Sequence, residues 1–463
     1  MIVNKGLFAA TVDRPYVNCA NANSHLRLRG LKVNDQNIGV QMHEWARDLF
    51  PICRSLTGEG VRSTLNYIKK LLPGLQIFSV PSGTQAFDWK VPDEWKIRDA
   101  YVLDESGASI IDFKVHNLHV VGYSEPVDLW LSLEDLQSHL HSIPDQPDAI
   151  PYITSYYKRR WGFCLSERQR RELRPGKYHA VIDSELSPGV LNYGELILRG
   201  REESEVLLST YICHPSMANN ELSGPVVATA LAQWLAGITD RKYTYRIIFV
   251  PETIGSIVYL SRNLKHLKQH VVAGFNITCM GDDRCYSYLP SRAEGTLSDQ
   301  AALHVLKHIE PSFKRYSYLD RGSDERQYCA PGVDLPIASI MRSKYHEYPE
   351  YHTSLDDLSF VTPSGLQGGF DALSKTIAAI EFNPRPLVTV LCEPQLGKRG
   401  LYPTLSTKQS SHSVKAMMNL IAYSDGEMTL LEIAEAIGEP VWEIASIFRM
   451  LNAEGLLCDA TPN

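Results

Sequence analysis

A chain of 463 residues, 44% hydrophobic and 21% charged, has core enough for two or three domains and needs neither a metal nor a disulfide to fold. Its net charge of -7 gives no electrostatic footprint for nucleic acid or an acidic membrane. Nine scattered cysteines without C-x-x-C spacing exclude a zinc ribbon and a disulfide framework. No apolar run approaches the ~20 residues of a membrane span, and no apolar signal region opens the chain, so a cytoplasmic protein is expected.

Residues 1–38 lack periodicity and read as an extension without assigned function. Met42, Trp45, Leu49 and Phe50, then Val61, Leu65, Ile68 and Leu72, fall at helical spacing on either side of a Thr57–Gly60 turn. From Gln76 the period becomes two, and residues 80–180 read as a mostly β insertion. Its aromatic segment, Tyr156 and Tyr157 through Trp161, either overhangs a pocket or packs the small domain. Strands and helices then alternate to about residue 385, completing a main domain of residues 39–79 and 181–385 with a mixed sheet covered on both faces. A Pro/Ser/Thr-rich linker is expected at 386–412. Residues 413–463 read as three helices and a short wing. Lys415 and Arg449 there stand against Asp425, Glu427, Glu432, Glu435, Glu439, Glu443, Glu454 and Asp459, so the winged-helix pattern predicts packing or self-association rather than DNA binding.

The chemistry gathers on strand ends. "EVLLSTY" reads as a buried strand running into Cys213-His214-Pro215 and the polar loop "SMANNELSG", which sets Asn220 and Glu221 beside His214. Glu252 follows the next strand, Asp282 and Asp283 the third, and His352 lies in "YHTSLDD". Open α/β sheets bind ligands at the carboxyl ends of their strands. Imidazoles and carboxylates converging there suit a catalytic zinc site with one position open.

In order and spacing, "HPSMANNELSG", "PETIGS", "GSDERQYCAPGVDLP" and "YHTSLDD" resemble the signature segments of the zinc-dependent leucyl aminopeptidase and glutaminyl cyclase superfamily. The resemblance covers roughly residues 40–460. It is closest to a bacterial branch with an inserted β domain and a C-terminal winged helix, often encoded among polysaccharide-biosynthesis genes. It implies a zinc-exopeptidase-like α/β/α sandwich with a mixed sheet. It also implies that His214 and His352 bind zinc, that Asn220 stands where a metal-bridging aspartate is usual, and that Glu221 or Asp282 supplies a carboxylate. Thr278 occupies the place of a further aspartate ligand. Too few carboxylates remain for two dications, so one zinc ion is expected, with Glu252 as general base and Tyr351 or Tyr348 assisting the oxyanion. Asp324, Arg326 and Tyr348 are candidate substrate contacts, the first two equally readable as a surface ion-pair network.

The expected activity is hydrolysis of an amide or peptide bond next to a free amine. The expected partner is a small peptide or aminoacyl substrate, with no nucleic acid or membrane, and self-association, if any, through the winged helix or the β insertion. The alternatives are an amidase or acyltransferase acting on an amino-sugar or natural-product precursor, and a catalytically degenerate scaffold.

Overall fold

The structure, a computed structural model, describes residues 38–401 and 408–460; the expected N-terminal extension lies outside them except for Ile38. Those residues belong to two compact units, meeting between Asn383 and Pro384.

The larger unit is built on an eight-stranded mixed sheet. Its strands in chain order are β1 (Gln76–Pro81), β2 (Val190–Leu198), β3 (Glu205–Tyr211), β4 (Thr244–Val250), β5 (Val271–Asn276), β6 (Ser287–Leu289), β7 (Lys314–Arg315) and β8 (Ile337–Met341). Their order across the sheet is β1-β2-β4-β3-β5-β8-β6-β7. The four central strands β4, β3, β5 and β8 run parallel, while β2 joins β4 and β6 joins β8 antiparallel. Every residue of β3 and β4 is buried, as expected of parallel strands covered on both faces.

The two amphipathic segments form helices α1 (Ile38–Leu49) and α2 (Glu59–Leu71). Helices α3 (Ser223–Ala236), α4 (Ile254–His270), α5 (Leu297–Ile309) and α6 (Pro363–Glu381) follow the later strands and loops. On one face α1, α3 and α5 pack on α6, whose start is fixed by the Thr362 cap and Pro363 at the first helical position. On the other face, Ile254, Ile257 and Val258 of α4 share a core with Leu207, Ile248, Val250 and the insertion.

The insertion contains a four-stranded antiparallel sheet in the order Ser109–Asp112, Glu94–Asp104, Lys177–Ser187, Val127–Ser132. The segment 146–154 is latched to the His352 loop by hydrogen bonds in both directions, with the Ser354 N–H donating to the Ile150 carbonyl at 2.9 Å. Gln146 Nε2 donates to the Pro349 carbonyl at 2.9 Å, Ile150 N–H to Ser354 Oγ at 3.0 Å, and Tyr152 N–H to the His352 carbonyl at 2.8 Å.

The smaller unit contains the helices Lys408–Tyr423, Leu430–Ile437 and Val441–Ala453 and a two-stranded sheet. One strand, Pro386–Val388, falls inside the segment expected to be a linker: it pairs antiparallel with Leu457–Asp459, so the wing recruits chain from before the first helix. Arg449, on the third helix, is partly buried, and burial lowers its pKa. With acidic side chains dominating this unit, no shift of duplex DNA is expected in an electrophoretic mobility assay at physiological salt; a complex at submicromolar protein would contradict that reading. Among the described residues no helix is long and apolar enough to cross a membrane.

Candidate metal centre

Four parallel strands deliver their following residues to one edge of the sheet. After β3 come Cys213 and His214, after β4 Glu252, after β5 Thr278 to Asp282, and after β8 the loop ending in His352. Each of these connections contains a non-glycine residue in the left-handed region: Ser216 (φ 42°), Thr253 (φ 63°), Cys279 (φ 54°) and His352 itself (φ 56°). Such conformations are uncommon for these residue types and cluster at functional sites. Gly224 is required for the opposite reason, close approach: a Cβ there would lie 2.4 Å from the Ile277 carbonyl oxygen, so only glycine lets α3 start against the end of β5.

His214 is the centre of the arrangement and is 2% exposed. Its Nδ1 lies 2.8 Å from Glu221 Oε2, and its Nε2 lies 3.5 Å from Glu252 Oε2. Burial acts against a charged imidazole here, but the Glu221 hydrogen bond and charge outweigh it and raise the His214 pKa. Glu252 is raised by its own burial, against the pull of His214 and a 2.9 Å hydrogen bond from Ser323 Oγ to its Oε1. The His352 ring is 5.7 Å from that of His214, centroid to centroid. Burial and the neighbouring His214 press its pKa down to about 2, which leaves the imidazole neutral.

The other expected residues divide clearly. Asn220 is buried at the site; its Nδ2 donates to the Tyr211 hydroxyl at 2.8 Å, and its Oδ1 has no hydrogen-bond partner among the described residues. Asp282 is taken out of the ligand set, because its oxygens already accept from Asn219 Nδ2, Ser343 N–H, Ser343 Oγ and Arg284 N–H. Asp324 is fully buried rather than open to substrate. Its Oδ1 accepts from Thr253 N–H and Ser256 Oγ, and burial, with the charge of Glu252, pushes its pKa up to about 8. Arg326 is exposed beside Glu252, held by the Ser323 carbonyl and Thr253 Oγ1. Tyr348 is buried and turns its hydroxyl to Asp356 Oδ2 at 3.2 Å, which withdraws it from substrate and from any oxyanion. Tyr351 instead lies flat on His352, centroids 3.9 Å apart.

Three contributors were not singled out from the sequence. Asp356, within the "YHTSLDD" segment, receives the N–H groups of Asn219 and Asn220 at 2.6 and 2.9 Å and so shapes the acid-amide loop; burial raises its pKa to about 7. Tyr152 of the insertion stands edge-on over both imidazoles, 5.2 Å from His214 and 5.1 Å from His352, with Tyr156 behind it. Beyond Tyr156 the aromatic segment does not overhang the site: Tyr157 bonds the Lys90 carbonyl, and Trp161 stacks on His139. The third is Arg54, from the connection between α1 and α2, whose Nε lies 2.9 Å from the His214 carbonyl and 3.6 Å from Glu221 Oε1.

Two sets of donors meet at His214. Cys213, His214 and Glu221 place one ligand atom each within 4.8 Å of one another. That set is a poor cation site, because Arg54 stands against Glu221 and burial pushes the Cys213 thiol well above its usual range. The set on the other side fits. Two donors ~2.1 Å from a tetrahedral zinc ion are about 3.4 Å apart, close to the 3.5 Å between His214 Nε2 and Glu252 Oε2. His352 supplies a neutral imidazole, and the unpartnered Asn220 Oδ1 offers an oxygen. In that arrangement Glu221 would accept the Nδ1–H of His214, the carboxylate–histidine pairing that orients metal-binding imidazoles.

The sheet order, the covered parallel strands and the donors at their carboxyl edge define an α/β protein of aminopeptidase-like fold. The crystal structure of a zinc aminopeptidase from Bacillus subtilis superposes with a TM-score of 0.56 at 11% identity, covering 76% of this chain and 96% of that one. The chain belongs to the family described as a domain of unknown function (DUF4910), matched over residues 43–383, and a winged helix-turn-helix domain follows at 385–459. It is 44% identical over 410 residues, 88% of this chain and 93% of the relative, to a Clostridium acetobutylicum protein provisionally named a polysaccharide biosynthesis protein with aminopeptidase-like domain. A crystal structure from the same organism, provisionally assigned as a peptidase, superposes with a TM-score of 0.86 at 42% identity, covering 92% of this chain and 97% of that one.

Proposed function

We propose that this protein is a hydrolase that uses one zinc-type ion to cleave an amide or peptide bond next to a free amine. The observation that carries the reading is His214 itself, with Nδ1 engaged by Glu221 and Nε2 facing Glu252 Oε2 at 3.5 Å. His214, Glu252 and His352 would hold the ion, with Asn220 Oδ1 as a neutral fourth oxygen. When bound, such an ion polarises a carbonyl and acidifies water. Glu252 is assigned as a ligand in place of the general-base role expected from the sequence. With Asp282 saturated and Glu221 committed to His214, Glu252 is the carboxylate that faces His214 Nε2 and is left for the cation. Its second oxygen, Oε1, accepts from Ser323 Oγ at 2.9 Å, which fixes the direction of the carboxylate. Tyr152 keeps water off the imidazole faces, Tyr351 offers its hydroxyl to developing oxyanion charge, and Arg326 receives the polar end of a small peptide or aminoacyl substrate.

The free thiols Cys53, Cys164, Cys213, Cys279, Cys285 and Cys329 support placing the protein in a reducing cytoplasm. The name of the Clostridium relative supports a second reading, an amidase acting on an N-acyl amino sugar.

Elemental analysis of protein purified without added metal should give close to one zinc-type ion per chain. That ion should be lost in the His214→Ala/His352→Ala double variant. Aminoacyl anilides and N-acyl amino sugars, assayed side by side, decide between the readings. Unchanged ion content in the double variant, or no turnover of either class by loaded protein, would overturn the hydrolase reading.

A further inference from the structure

Arg54 is 1% exposed yet belongs to the connection between the first two helices, 160 residues before His214. A guanidinium cannot shed its charge, so one buried this deeply needs a purpose that outweighs its desolvation. Its contacts are specific. Nη1 donates to the Leu49 carbonyl at 2.7 Å, which ties the side chain to the end of α1. Nε donates to the carbonyl of His214 at 2.9 Å and lies 3.6 Å from Glu221 Oε1. That carboxylate oxygen has no hydrogen-bond partner among the described residues, so the guanidinium is its compensation. The other oxygen of Glu221 engages His214 Nδ1. Arg54 therefore grips His214 from both ends, at its backbone and, through Glu221, at its ring.

We infer that Arg54 is the positioning residue of the site: by holding the His214 carbonyl and Oε1 of Glu221 it keeps Oε2 of Glu221 against His214 Nδ1, so that the ring donates from Nδ1 and leaves the Nε2 lone pair toward Glu252. Resting on the metal-site reading above, the inference explains how Glu221 serves without being a ligand. Without Arg54, no described residue holds Oε1, the Glu221 carboxylate is free to turn away from His214 Nδ1, and the imidazole proton is free to sit on Nε2, where it blocks an ion. The neighbouring His352 is no substitute, since Tyr152 and Tyr351 hold its ring independently of Arg54.

The test has two arms, each applied to wild type, Arg54→Met, Arg54→Lys, Glu221→Gln and the Arg54→Met/Glu221→Gln double variant. The first reads the His214 tautomer by 15N NMR of histidine-labelled protein stripped of metal, with His214→Asn to assign the signal. The Nδ1–H form is expected in wild type and the Nε2–H form in Arg54→Met, with partial recovery in Arg54→Lys. The second reads zinc affinity by calorimetry, where Arg54→Met should lose about 10–100-fold, the range for groups that orient a ligand. Its effect should not add to that of Glu221→Gln in the double variant, which also removes the uncompensated charge that threatens the folding of Arg54→Met alone. An unchanged tautomer in Arg54→Met, or additive losses of affinity, would overturn the inference. If wild type bound no zinc, the metal reading would fall and the tautomer arm would still decide the role of Arg54.

Discussion

Glu252→Gln is expected to empty the site of its ion and to lose activity in proportion. The substitution keeps the shape of the side chain and its contact with Ser323 but removes the charge that faces His214 Nε2. A ligand set of two imidazoles and two amide oxygens carries no negative charge against a dication, and carboxylate is the harder and stronger donor. Changes to groups that merely orient a ligand cost 10–100-fold in metal affinity, so loss of this one should exceed about 100-fold. A general base behaves otherwise: occupancy would survive and turnover alone would fall by about 10²–10⁴. Zinc content and anilide hydrolysis, measured on the same samples with added zinc varied, separate the two. Restoration of full occupancy without activity would return Glu252 to the role of base.

The parts of this centre that follow a strand were readable from the sequence because an all-apolar run such as Val206–Leu208 announces a buried strand, and its next polar residues must lie at the sheet edge. His214 and Glu252 were placed that way, whereas His352, in the loop after β8, was placed by the "YHTSLDD" segment and its resemblance. Division of labour among the carboxylates was not readable. Whether Glu221 or Asp282 meets a cation depends on which donors reach it, and those come from Arg54, Asn219 and Ser343, distant in the chain. The left-handed backbone at Ser216, Thr253, Cys279 and His352 carries no glycine signal, because the surrounding packing imposes it. Tyr152 was missed since an aromatic run gives no sign of which ring turns inward, and Tyr156 rather than the basic residues after it proved to be its neighbour. The wing strand Pro386–Val388 is three residues long with a leading proline, too short for period-two alternation to register.

Asn220→Asp is expected to raise the ion capacity of the chain. Asn220 is 2% exposed, its orientation is fixed by the Nδ2 bond to the Tyr211 hydroxyl, and its Oδ1 is left without a partner. An aspartate of the same shape adds a buried carboxylate at that oxygen and so supplies charge that a second dication lacks in the wild type. Without metal the same change should destabilise the protein by about 1–3 kcal/mol, because the donor to Tyr211 is lost and a buried oxygen gains charge with no partner. Zinc should reverse the loss, since an ion that binds only the folded chain stabilises it by mass action. Chemical denaturation of both proteins, stripped and zinc-loaded, and zinc per chain at saturation are the measurements. The expected pattern is a variant weaker than wild type when stripped, at least as stable when loaded, and moving from near one ion per chain toward two. A variant that stays at one ion with unchanged affinity would show that the Asn220 oxygen does not face the cation, and the ligand set would reduce to His214, Glu252 and His352.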